Sequence, residues 1–538
     1  MQFRRCAATV KVRMPISGSL LYIPCVARGG VYLLGLTDLP TCPGLFYGSR
    51  ARDGILSRMR IPGGILKAQQ CWAIADLVDR YSTGCLQVTN RANLQIRDLN
   101  SAISDEVWQD LQELGLASRR VEIDPIRNIM ASPTAGIDRA QLLDTRPLVQ
   151  AWDNYLQTHP ELSELSPKFS VGFDGGELVS IRALRNDILL TAEKLSTDSE
   201  IVFRLHLNDD TGIIIQQSQC ISVLAALANV YLEYTQNKPR IEGKKPRLRH
   251  LLADWGAESY LEQVQQNLSF LKNRQDACST KSEFDCATEF YCGVGILPAH
   301  SISEKSIANH QHLGIHPQRQ SGFSYIGIAV PLGKLESKQL QDLANLAQNF
   351  GRGILRLTPW QNLLISDIPN SRISEVKQQV ADLGLYSSAT NLNSCLVACA
   401  GSSGCASAMT DTQSHALEIV KDLAQKLQID RPINIHFSGC EKSCAQHDPI
   451  DLTLVGIQIS QDNEFIEGYD IYAGKTDSPF GRKIFQGVTV AEISSSMNKL
   501  LRIYQRCRSP DESFGEFIDR SEIDKLQQLL NPKKQNYK

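Results

Sequence analysis

The chain lacks three features that would each place a protein in a large functional class. No apolar run approaches the roughly 20 residues needed to cross a bilayer. The 56 Lys and Arg residues nearly balance the 58 Asp and Glu residues, and a formal net charge of −2 indicates no nucleic-acid surface. The sequence also contains no Gly-rich loop of the dinucleotide-binding type. Any binding of anions must therefore depend on local basic residues.

The first 40 residues have little acidic character and no organised apolar segment. No acid precedes Asp38, whereas basic residues stand at Arg4, Arg5, Lys11, Arg13 and Arg28. The pattern resembles a weak targeting peptide, but it has no clean apolar core followed by a small-residue cleavage site. We therefore expect an N-terminal extension, a folded protein that begins near Thr41, and a cytoplasmic location.

An internal repeat organises the rest of the chain. Residues 60–96 align with residues 329–365 without a gap, and every matched pair is separated by 269 residues. The identical pairs include Pro62 and Pro331, Gly64 and Gly333, Leu66 and Leu335, Thr89 and Thr358, and Asn93 and Asn362. Chance similarity rarely keeps one offset through so many positions, so the sequence indicates a duplication.

Each copy of the repeat has the pattern of a strand, a Pro/Gly turn, an amphipathic helix and a second strand. In the second copy Leu340, Leu343, Leu346 and Ala347 recur at helical spacing, and the alternating strand ILRLT follows. Such a unit built twice predicts an internally duplicated α/β (α+β) fold with two pseudo-symmetric halves. The basic, Pro-containing stretch 237–250 is interpreted as a linker between them.

The chain contains 15 cysteines, and their distribution is more informative than their number. Those spread singly through the chain are expected to be buried, inert thiols. Cys278, Cys286 and Cys292 lie in a polar insert with weak spacing for a metal. The remaining five lie within one span of fifty residues, at Cys395, Cys399, Cys405, Cys440 and Cys444. In a reducing compartment, such clustering favours metal binding over disulfides.

Four of these cysteines have the spacing of an iron–sulfur site. Cys399-x5-Cys405 and Cys440-x3-Cys444 are separated by 34 residues and supply four thiolates from two loops. Zinc also accepts four cysteines, but its ligand pairs usually have a C-x2-4-C spacing, which C-x5-C does not match. A cubane needs four thiolates and small neighbours whose N–H groups reach its sulfides. Cys395 is expected to be a packed thiol.

At the offset of the repeat, the first half lacks these thiols. Cys399 falls opposite Met130, and Cys405 falls opposite Gly136. Both halves therefore have a small-residue loop here, but only the second can hold a metal. We expect the two halves to perform different tasks at a shared interface.

Taken together, the motifs resemble the ferredoxin-dependent nitrite and sulfite reductase superfamily, in which C-x5-C and C-x3-C follow a duplicated strand–helix–strand module. The resemblance runs from about Cys42 to the segment near 514–520 and rests on several stretches: residues 42–64, 165–177, 355–365, CAGSSGCASA (399–408) and SGCEKSCA (438–445). It implies two halves, each with a ferredoxin-like module and an α/β cluster-type domain. It also implies a [4Fe-4S] cluster on Cys399, Cys405, Cys440 and Cys444, with Cys444 bridging to the iron of siroheme where siroheme is bound.

The same resemblance assigns basic residues of the first half to the tetrapyrrole and its substrate. By motif these are Arg91 in TNRAN, Arg127 in IRN and Lys168 in SPKF. A tetrapyrrole of this class is rich in carboxylates, which a near-neutral protein must meet with positioned Arg and Lys, Arg being suited to bidentate pairing. The alternative for each residue is a solvated surface charge.

Two departures from the reductase pattern favour another family of this superfamily, the precorrin-3B synthases. Ser170 stands where reductases typically have a second basic or bulky polar residue after Lys168, and Glu-Lys-Ser lies between Cys440 and Cys444 where an Asn-Gly pair is usual. This resemblance implies O2-dependent C20 hydroxylation and lactone formation on precorrin-3A in cobalamin biosynthesis. The cluster would relay electrons, and a mononuclear non-haem iron would activate dioxygen.

Candidates for ligands of that iron lie beside the second cysteine pair. Such iron usually binds two histidines and a carboxylate. The nearest residues of these types are His436, His447 and Asp448, which could instead orient the loops.

Three functions remain open from the sequence: the synthase, a ferredoxin-dependent siroheme reductase of nitrite or sulfite, and a non-catalytic tetrapyrrole or Fe–S binding protein. The electron donor is expected to be a ferredoxin or a reductase, with no nucleic-acid or membrane partner.

The predicted divisions are an extension (1–40), a first ferredoxin-like half domain (41–118), a first α/β domain without a cluster (119–236), a linker and insert (237–310), a second ferredoxin-like half domain (311–386), a [4Fe-4S]-binding domain (387–525) and a tail (526–538).

Overall fold

A computed structural model describes residues 43–530 except residues 47, 101–102, 196–199, 242, 279–309, 447–450, 462–463 and 476–477. The N-terminal extension, the C-terminal eight residues and most of the cysteine-containing insert therefore lie outside the described residues. Within the described part of the chain, no helix combines the length and the apolar character needed to cross a membrane. We call residues 43–278 the first half and residues 310–530 the second half.

The first half begins with a ferredoxin-like unit and continues into an α/β unit. The ferredoxin-like unit contains β1 (Ser49–Ala51), β2 (Gly54–Met59), β3 (Ile65–Lys67), α1 (Ala68–Tyr81), β4 (Cys85–Val88), β5 (Leu94–Leu99) and α2 (Asp105–Glu113). The α/β unit contains β6 (Ile129–Ala131), α3 (Arg146–Thr158), β7 (Val171–Asp174), β8 (Ile188–Lys194), β9 (Ile201–Leu207), β10 (Asp209–Gln216), α4 (Cys220–Asn237) and α5 (Leu248–Cys278).

The second half repeats this order. Its ferredoxin-like unit contains β11 (Gly314–Pro317), β12 (Phe323–Ile328), β13 (Lys334–Glu336), α6 (Ser337–Phe350), β14 (Ile354–Leu357), β15 (Leu363–Pro369) and α7 (Ile373–Asp382). Its α/β unit contains β16 (Leu396–Ala398), α8 (Gly401–Gly404), α9 (Thr412–Lys426), β17 (Ile435–Ser438), β18 (Leu452–Gln461), β19 (Glu464–Ala473), β20 (Arg482–Thr489), α10 (Val490–Cys507), α11 (Phe514–Arg520) and α12 (Ile523–Leu530). The predicted duplicated architecture is thus confirmed.

The two ferredoxin-like units exchange a strand. The first sheet has the order β1-β2-β5-β4-β13, and the second has the equivalent order β11-β12-β15-β14-β3. Each sheet is completed by a short strand of the other half, β13 pairing with β4 and β3 pairing with β14. Helices α1 and α6 pack in one hydrophobic core that both units share, to which α6 contributes the predicted Leu340, Leu343, Leu346 and Ala347. The duplication therefore produces one fused body.

The Pro/Gly turn of each copy allows this exchange. Gly64 and Gly333 have φ angles of +70° and +66°, in the region that favours glycine. A Cβ on Gly64 would lie 2.8 Å from the Leu357 carbonyl oxygen, and one on Gly333 would lie 2.8 Å from that of Val88. These glycines are matched in the repeat because at both positions the backbones of the two halves approach too closely for a side chain.

Both α/β units contain the same five-stranded sheet. In the first, β6, β7 and β8 are parallel and β9 and β10 continue antiparallel, in the order β10-β9-β8-β7-β6. In the second, β16, β17 and β18 are parallel and β19 and β20 continue antiparallel. Each sheet packs its helices over a separate core. The carboxyl ends of β16 and β17 consequently lie at one sheet edge.

The predicted linker extends less far than expected. The sequence predicts a linker over residues 237–250, but α5 begins at Leu248, and Leu248, Leu251, Tyr260 and Val264 are buried in the core of the first α/β unit. Helix α5 packs against α4, so this part of the segment belongs to the first unit. The Pro- and Lys-rich composition of residues 237–250 is typical of a linker, and the apolar positions of α5 begin only at its end.

Candidate functional site

Two parallel strands bring the predicted cysteine ligands to one edge of the second α/β sheet. Strands β16 and β17 pair with Ala398 opposite Phe437, and Cys399 and Cys440 follow their carboxyl ends. The Cys399 backbone N–H donates to the Phe437 carbonyl oxygen at 3.1 Å. The two cysteine loops therefore begin side by side.

Short turns return the second cysteine of each pair toward the first. Helix α8 ends where the Cys405 N–H donates to the Gly401 carbonyl at 2.8 Å. In the other loop, the Ser438 hydroxyl donates to the Cys440 carbonyl at 2.7 Å, and Ser443 has a φ of 48°. Burial raises the pKa of the Cys444 thiol, and the other three cysteines of the quartet raise it further. The Cys444 thiol therefore lies within electrostatic range of the other three.

The surroundings of the thiols fit an iron–sulfur cubane. The Gly439 N–H donates to the Cys399 sulfur at 3.2 Å, the kind of bond that stabilises cluster thiolates. A Cβ on Gly439 would lie 2.6 Å from the Ala408 Cβ, so a side chain would fill this cradle. Within the described residues, no group of three or more His, Cys, Asp or Glu side chains could hold a single metal ion. Because each thiolate of a cubane binds a different iron, the four need not converge on one point.

Cys395 lies apart from this arrangement. It is buried, its sulfur donates to the Ala389 carbonyl oxygen at 3.2 Å, and burial raises the pKa of its thiol. This environment suits the packed thiol that the sequence predicts.

The first half contacts the cluster loops directly. Arg97 on β5 forms a bidentate ion pair with Asp53 in the β1–β2 turn, at 2.5 and 3.0 Å, and also donates to the Gly404 carbonyl at 3.3 Å. Arg52 donates to the Ser402 carbonyl at 3.0 Å. The β1–β2 turn and β5 therefore hold the loop that carries Cys405.

One face of the first ferredoxin-like sheet carries polar residues that the sequence motifs do not identify. Gln95 donates to Gln87 at 3.0 Å and accepts from Arg58 at 3.3 Å, while Gln87 donates to the Leu332 carbonyl at 2.8 Å. Arg97 is two residues from Gln95 on the same strand, so this polar face extends to the cluster loop. Alternation in CLQV and LQIRDL was the available signal.

Arg91 lies in the β4–β5 turn and reaches toward the first α/β unit. Its guanidinium donates to the Asn186 side chain and to the Arg185 carbonyl, both at 3.4 Å. Lys168 is exposed in the loop that precedes β7. Both residues therefore lie near the amino edge of the first α/β sheet.

Ser170 is buried in the same region. Its N–H and hydroxyl donate to one carboxylate oxygen of Asp187, at 3.0 and 3.2 Å. Burial raises the pKa of Asp187, while Arg247 and Arg91 oppose that rise. A carboxyl group thus lies close to the position where reductases usually carry a second cation.

The side chain of Arg127 is buried and already ion-paired, whereas the predicted contact with a ligand requires an accessible guanidinium group. It is 2% exposed, and its guanidinium forms a bidentate ion pair with Asp153 at 2.7 and 2.9 Å, with Asp124 at 3.9 Å. A ligand carboxylate would have to displace Asp153. This geometry supports a structural role that the local IRN motif did not reveal.

The proposed ligands of a mononuclear iron are not assembled among the described residues. His436 is buried within β17, opposite Val397 and Thr453 in neighbouring strands. His447 and Asp448 lie outside the described residues, as do Cys286, Cys292 and the side chain of Cys278.

Comparisons with known proteins agree with the duplicated fold. The signature of the "Nitrite/Sulfite reductase ferredoxin-like half domain" matches residues 47–114 and 316–383. That of the "Nitrite and sulphite reductase 4Fe-4S domain" matches residues 122–271 and 391–537. The solved structure of the Mycobacterium tuberculosis NirA protein has 22% sequence identity and a TM-score of 0.69, covering 88% of this chain and 84% of that one. At this identity the likeness concerns the fold.

Sequence relatives include several ferredoxin–nitrite reductases. The Synechococcus elongatus enzyme is 30% identical over 87% of this chain and 88% of its own length. The chloroplastic enzyme of Zea mays is 26% identical over 80% of this chain and 75% of its own length. These names differ from the expected precorrin-3B synthase, whereas the broader expectation from the cysteine spacing and the duplication is confirmed. The chain belongs to the nitrite and sulfite reductase family of iron–sulfur oxidoreductases.

Proposed function

We propose that this protein is a ferredoxin-dependent nitrite reductase that uses siroheme and a [4Fe-4S] cluster. The observation that carries the proposal is that the loops bearing the four cysteines begin side by side at one sheet edge, beside the polar face of the first ferredoxin-like sheet. The printed names of the sequence relatives favour nitrite as the substrate and ferredoxin as the electron donor.

The cysteine quartet would hold the cluster. Cys399 and Cys440 would bind it from the strand ends, Cys405 from the end of α8, and Cys444 would also bridge to siroheme. The cluster and siroheme together would supply electron transfer to the substrate. The Gly439 N–H, bonded to the Cys399 sulfur, would stabilise the thiolate.

Basic residues of the first half would meet the carboxylates of the tetrapyrrole and the substrate anion. Arg58 lies on the polar face beside the cluster loop, and its guanidinium group suits bidentate pairing with a carboxylate, whereas Arg97 is already paired with Asp53. Arg91 and exposed Lys168 would attract the anion, and Lys168 can also carry protons to it. Reduction of nitrite to ammonium consumes several protons, so such a donor is required.

The Ser170–Asp187 contact bears on the choice of anion. Nitrite carries one negative charge, whereas sulfite near neutral pH approaches two. Replacing a cation by a buried serine bonded to a carboxyl group lowers the positive potential of the site. Such a site loses more affinity for a dianion than for a monoanion, which supports nitrite over sulfite.

A precorrin-3B synthase is the second candidate, and the same two departures favour it. Ser170 and Lys442 both differ from the reductase pattern. In this function precorrin-3A would occupy the place of siroheme and dioxygen would be the oxidant. The described residues assemble no single-ion metal site for the accompanying non-haem iron.

A single preparation distinguishes these functions. Anaerobically purified protein is analysed for iron, acid-labile sulfide and siroheme absorption, then assayed with nitrite, sulfite and precorrin-3A plus O2. We expect siroheme bands and nitrite reduction with reduced ferredoxin. Precorrin-3A turnover without siroheme would instead support the synthase, and bound cofactor without turnover of any substrate would indicate a non-catalytic binding protein.

A further inference from the structure

Lys442 stands in the centre of the turn between Cys440 and Cys444 and reaches across to the other cysteine loop. Its ammonium donates a hydrogen bond of 2.9 Å to the Ser407 hydroxyl. Ser407 follows Cys405 by two residues, so one side chain spans the loops that supply both cysteine pairs. Both partners are exposed, which places this contact on the solvent side of the quartet.

The backbone that carries Lys442 is held by local hydrogen bonds. The Ser438 hydroxyl bonds to the Cys440 carbonyl at 2.7 Å, before the lysine, and the Ser443 hydroxyl bonds to the Gln446 carbonyl at 2.5 Å, after it. Ser443 keeps a φ of 48°, a conformation uncommon for a residue with a side chain. The lysine therefore projects from a defined turn.

The charges around the quartet are distributed unevenly. On the Cys399 side, the Thr412 hydroxyl donates to the Cys399 carbonyl, and the nearby Asp411 N–H donates to the carboxylate of Glu467 at 3.0 Å. On the side of the first half, the charge of Arg97 is paired with that of Asp53, and the Arg52 guanidinium donates to the Ser402 carbonyl oxygen. At the solvent side, the Lys442 ammonium bonds only to a neutral hydroxyl among the contacts found in the described residues.

We propose that Lys442 raises the reduction potential of the cluster and that Ser407 positions its ammonium to do so. The inference rests on the proposed function, since it requires the [4Fe-4S] cluster. Reduction adds one electron to a cluster with four thiolates, and a nearby cation stabilises the more negative, reduced state. The positive charge of Lys442 thus makes the cluster easier for its electron donor to reduce, and Ser407 holds that charge in place.

The test is a redox titration of the cluster in the full-length protein, followed by electron paramagnetic resonance. We expect Lys442→Gln, which removes the charge, to shift the midpoint potential downward. Lys442→Arg, which keeps the positive charge, should retain most of the wild-type midpoint potential. Ser407→Ala, which keeps the charge but frees it, gives a smaller downward shift. The matched control Lys238→Gln removes a lysine charge on the first α/β unit, where it pairs with Asp254, and leaves the potential unchanged.

Several outcomes would overturn this inference. It is wrong if Lys442→Gln keeps the wild-type potential with full iron and sulfide, or if Lys238→Gln shifts the potential equally. An unchanged potential combined with a salt-sensitive loss of the ferredoxin-dependent rate would make Lys442 a donor-docking residue instead. Absence of iron and sulfide from the wild-type protein would refute the proposed function itself, which separates the two failures.

Discussion

The carboxyl edges of the two α/β sheets have the same backbone plan but different contents. In the second half, the loops after β16 and β17 present four thiols. In the first half, the loops after β6 and β7 are closed by hydrogen bonds to carboxylates. Thr134 and the Leu178 N–H donate to Asp138 at 2.9 and 3.1 Å, and Ser180 donates to Asp174 at 2.7 Å. The duplicated cradle is thus lined with thiols in one half and filled by protein side chains in the other.

The two ferredoxin-like sheets that face these edges also differ in their polar contacts. Arg356, which matches Gln87 in the repeat, is buried and donates to the Pro133 and Ala135 carbonyls at 3.1 and 2.7 Å. The second sheet is therefore bonded directly to the loops of the first half. Across the other interface, Arg97 and Arg52 bond to the Gly404 and Ser402 carbonyls, whereas Gln87, at the position that matches Arg356, bonds to Gln95. A duplication can therefore specialise without changing its fold, since one copy satisfies its polar groups internally while the other retains ligands for a cofactor.

The largest effect is expected where the two cradles differ in thiols. Cys399→Ser should abolish the cluster and the reductase activity, because an alcohol is a poor replacement for a thiolate iron ligand. The control is Met130→Leu at the matching position of the first half, which should retain iron, sulfide and activity. Iron analysis of both variants checks this. Normal iron content in Cys399→Ser would remove the basis of the comparison.

The next effect concerns Arg127, which is buried in an ion pair with Asp153. Arg127→Ala leaves Asp153 and Asp124 buried without their cation, which should cost about 3–5 kcal/mol of stability. Thermal unfolding measures this loss. The double variant Arg127→Met/Asp153→Leu should regain much of it, whereas Arg91→Ala should hardly change the melting temperature. If the Arg127→Ala variant is stable but binds the tetrapyrrole more weakly, Arg127 is a ligand-binding residue, as the sequence motif predicts.

A pH effect should arise from the filled cradle. Burial, then Asp174 and Asp138, raise the pKa of Glu177 from 4.5 to about 8, and one of its carboxylate oxygens has no hydrogen-bond partner. The folded state thus keeps this proton after the unfolded chain has lost it. The associated stability is present below pH 4.5 and is lost as the pH rises to 8, by roughly 2–4 kcal/mol.

Glu177→Gln cannot ionise and should flatten this dependence. Melting temperatures of the wild type and the variant, compared at pH 5 and pH 8, measure the difference. The variant should gain on the wild type at the higher pH. If the melting temperatures of the two proteins change in parallel with pH, ionisation of Glu177 does not destabilise the folded state.

The smallest effect is expected at the contacts between halves. Arg97→Gln breaks the pair with Asp53 and weakens the contact with Gly404, which should cost roughly 1–2 kcal/mol and speed the release of iron to a chelator. Arg319→Gln disturbs the corresponding contact of the second half with Gln141. It should leave iron release unchanged. Equal release rates in both variants would contradict a specific role of Arg97 at the cluster.

The candidate site was only partly predictable from the sequence. The cysteine spacing and the loop composition indicated a cubane because ligand identity and short-range spacing are local properties. The polar face of Arg58, Gln87 and Gln95 alternates with apolar residues, but its position beside the cluster loop depends on contacts between distant segments. The burial of Arg127 depends on Asp153, 26 residues away, and no local motif identifies that partner.

The amino-acid sequence by itself determined the duplication, the helical and strand periodicities and the four-cysteine pattern, because each depends on neighbouring residues or on one constant offset. Only the tertiary structure decided that β3 and β13 exchange between halves, that α5 belongs to the first core, and that Arg127 pairs with Asp153. The physical reason is that pairing, burial and charge compensation are set by residues far apart in the chain, and folding brings these together through packing that no local pattern specifies.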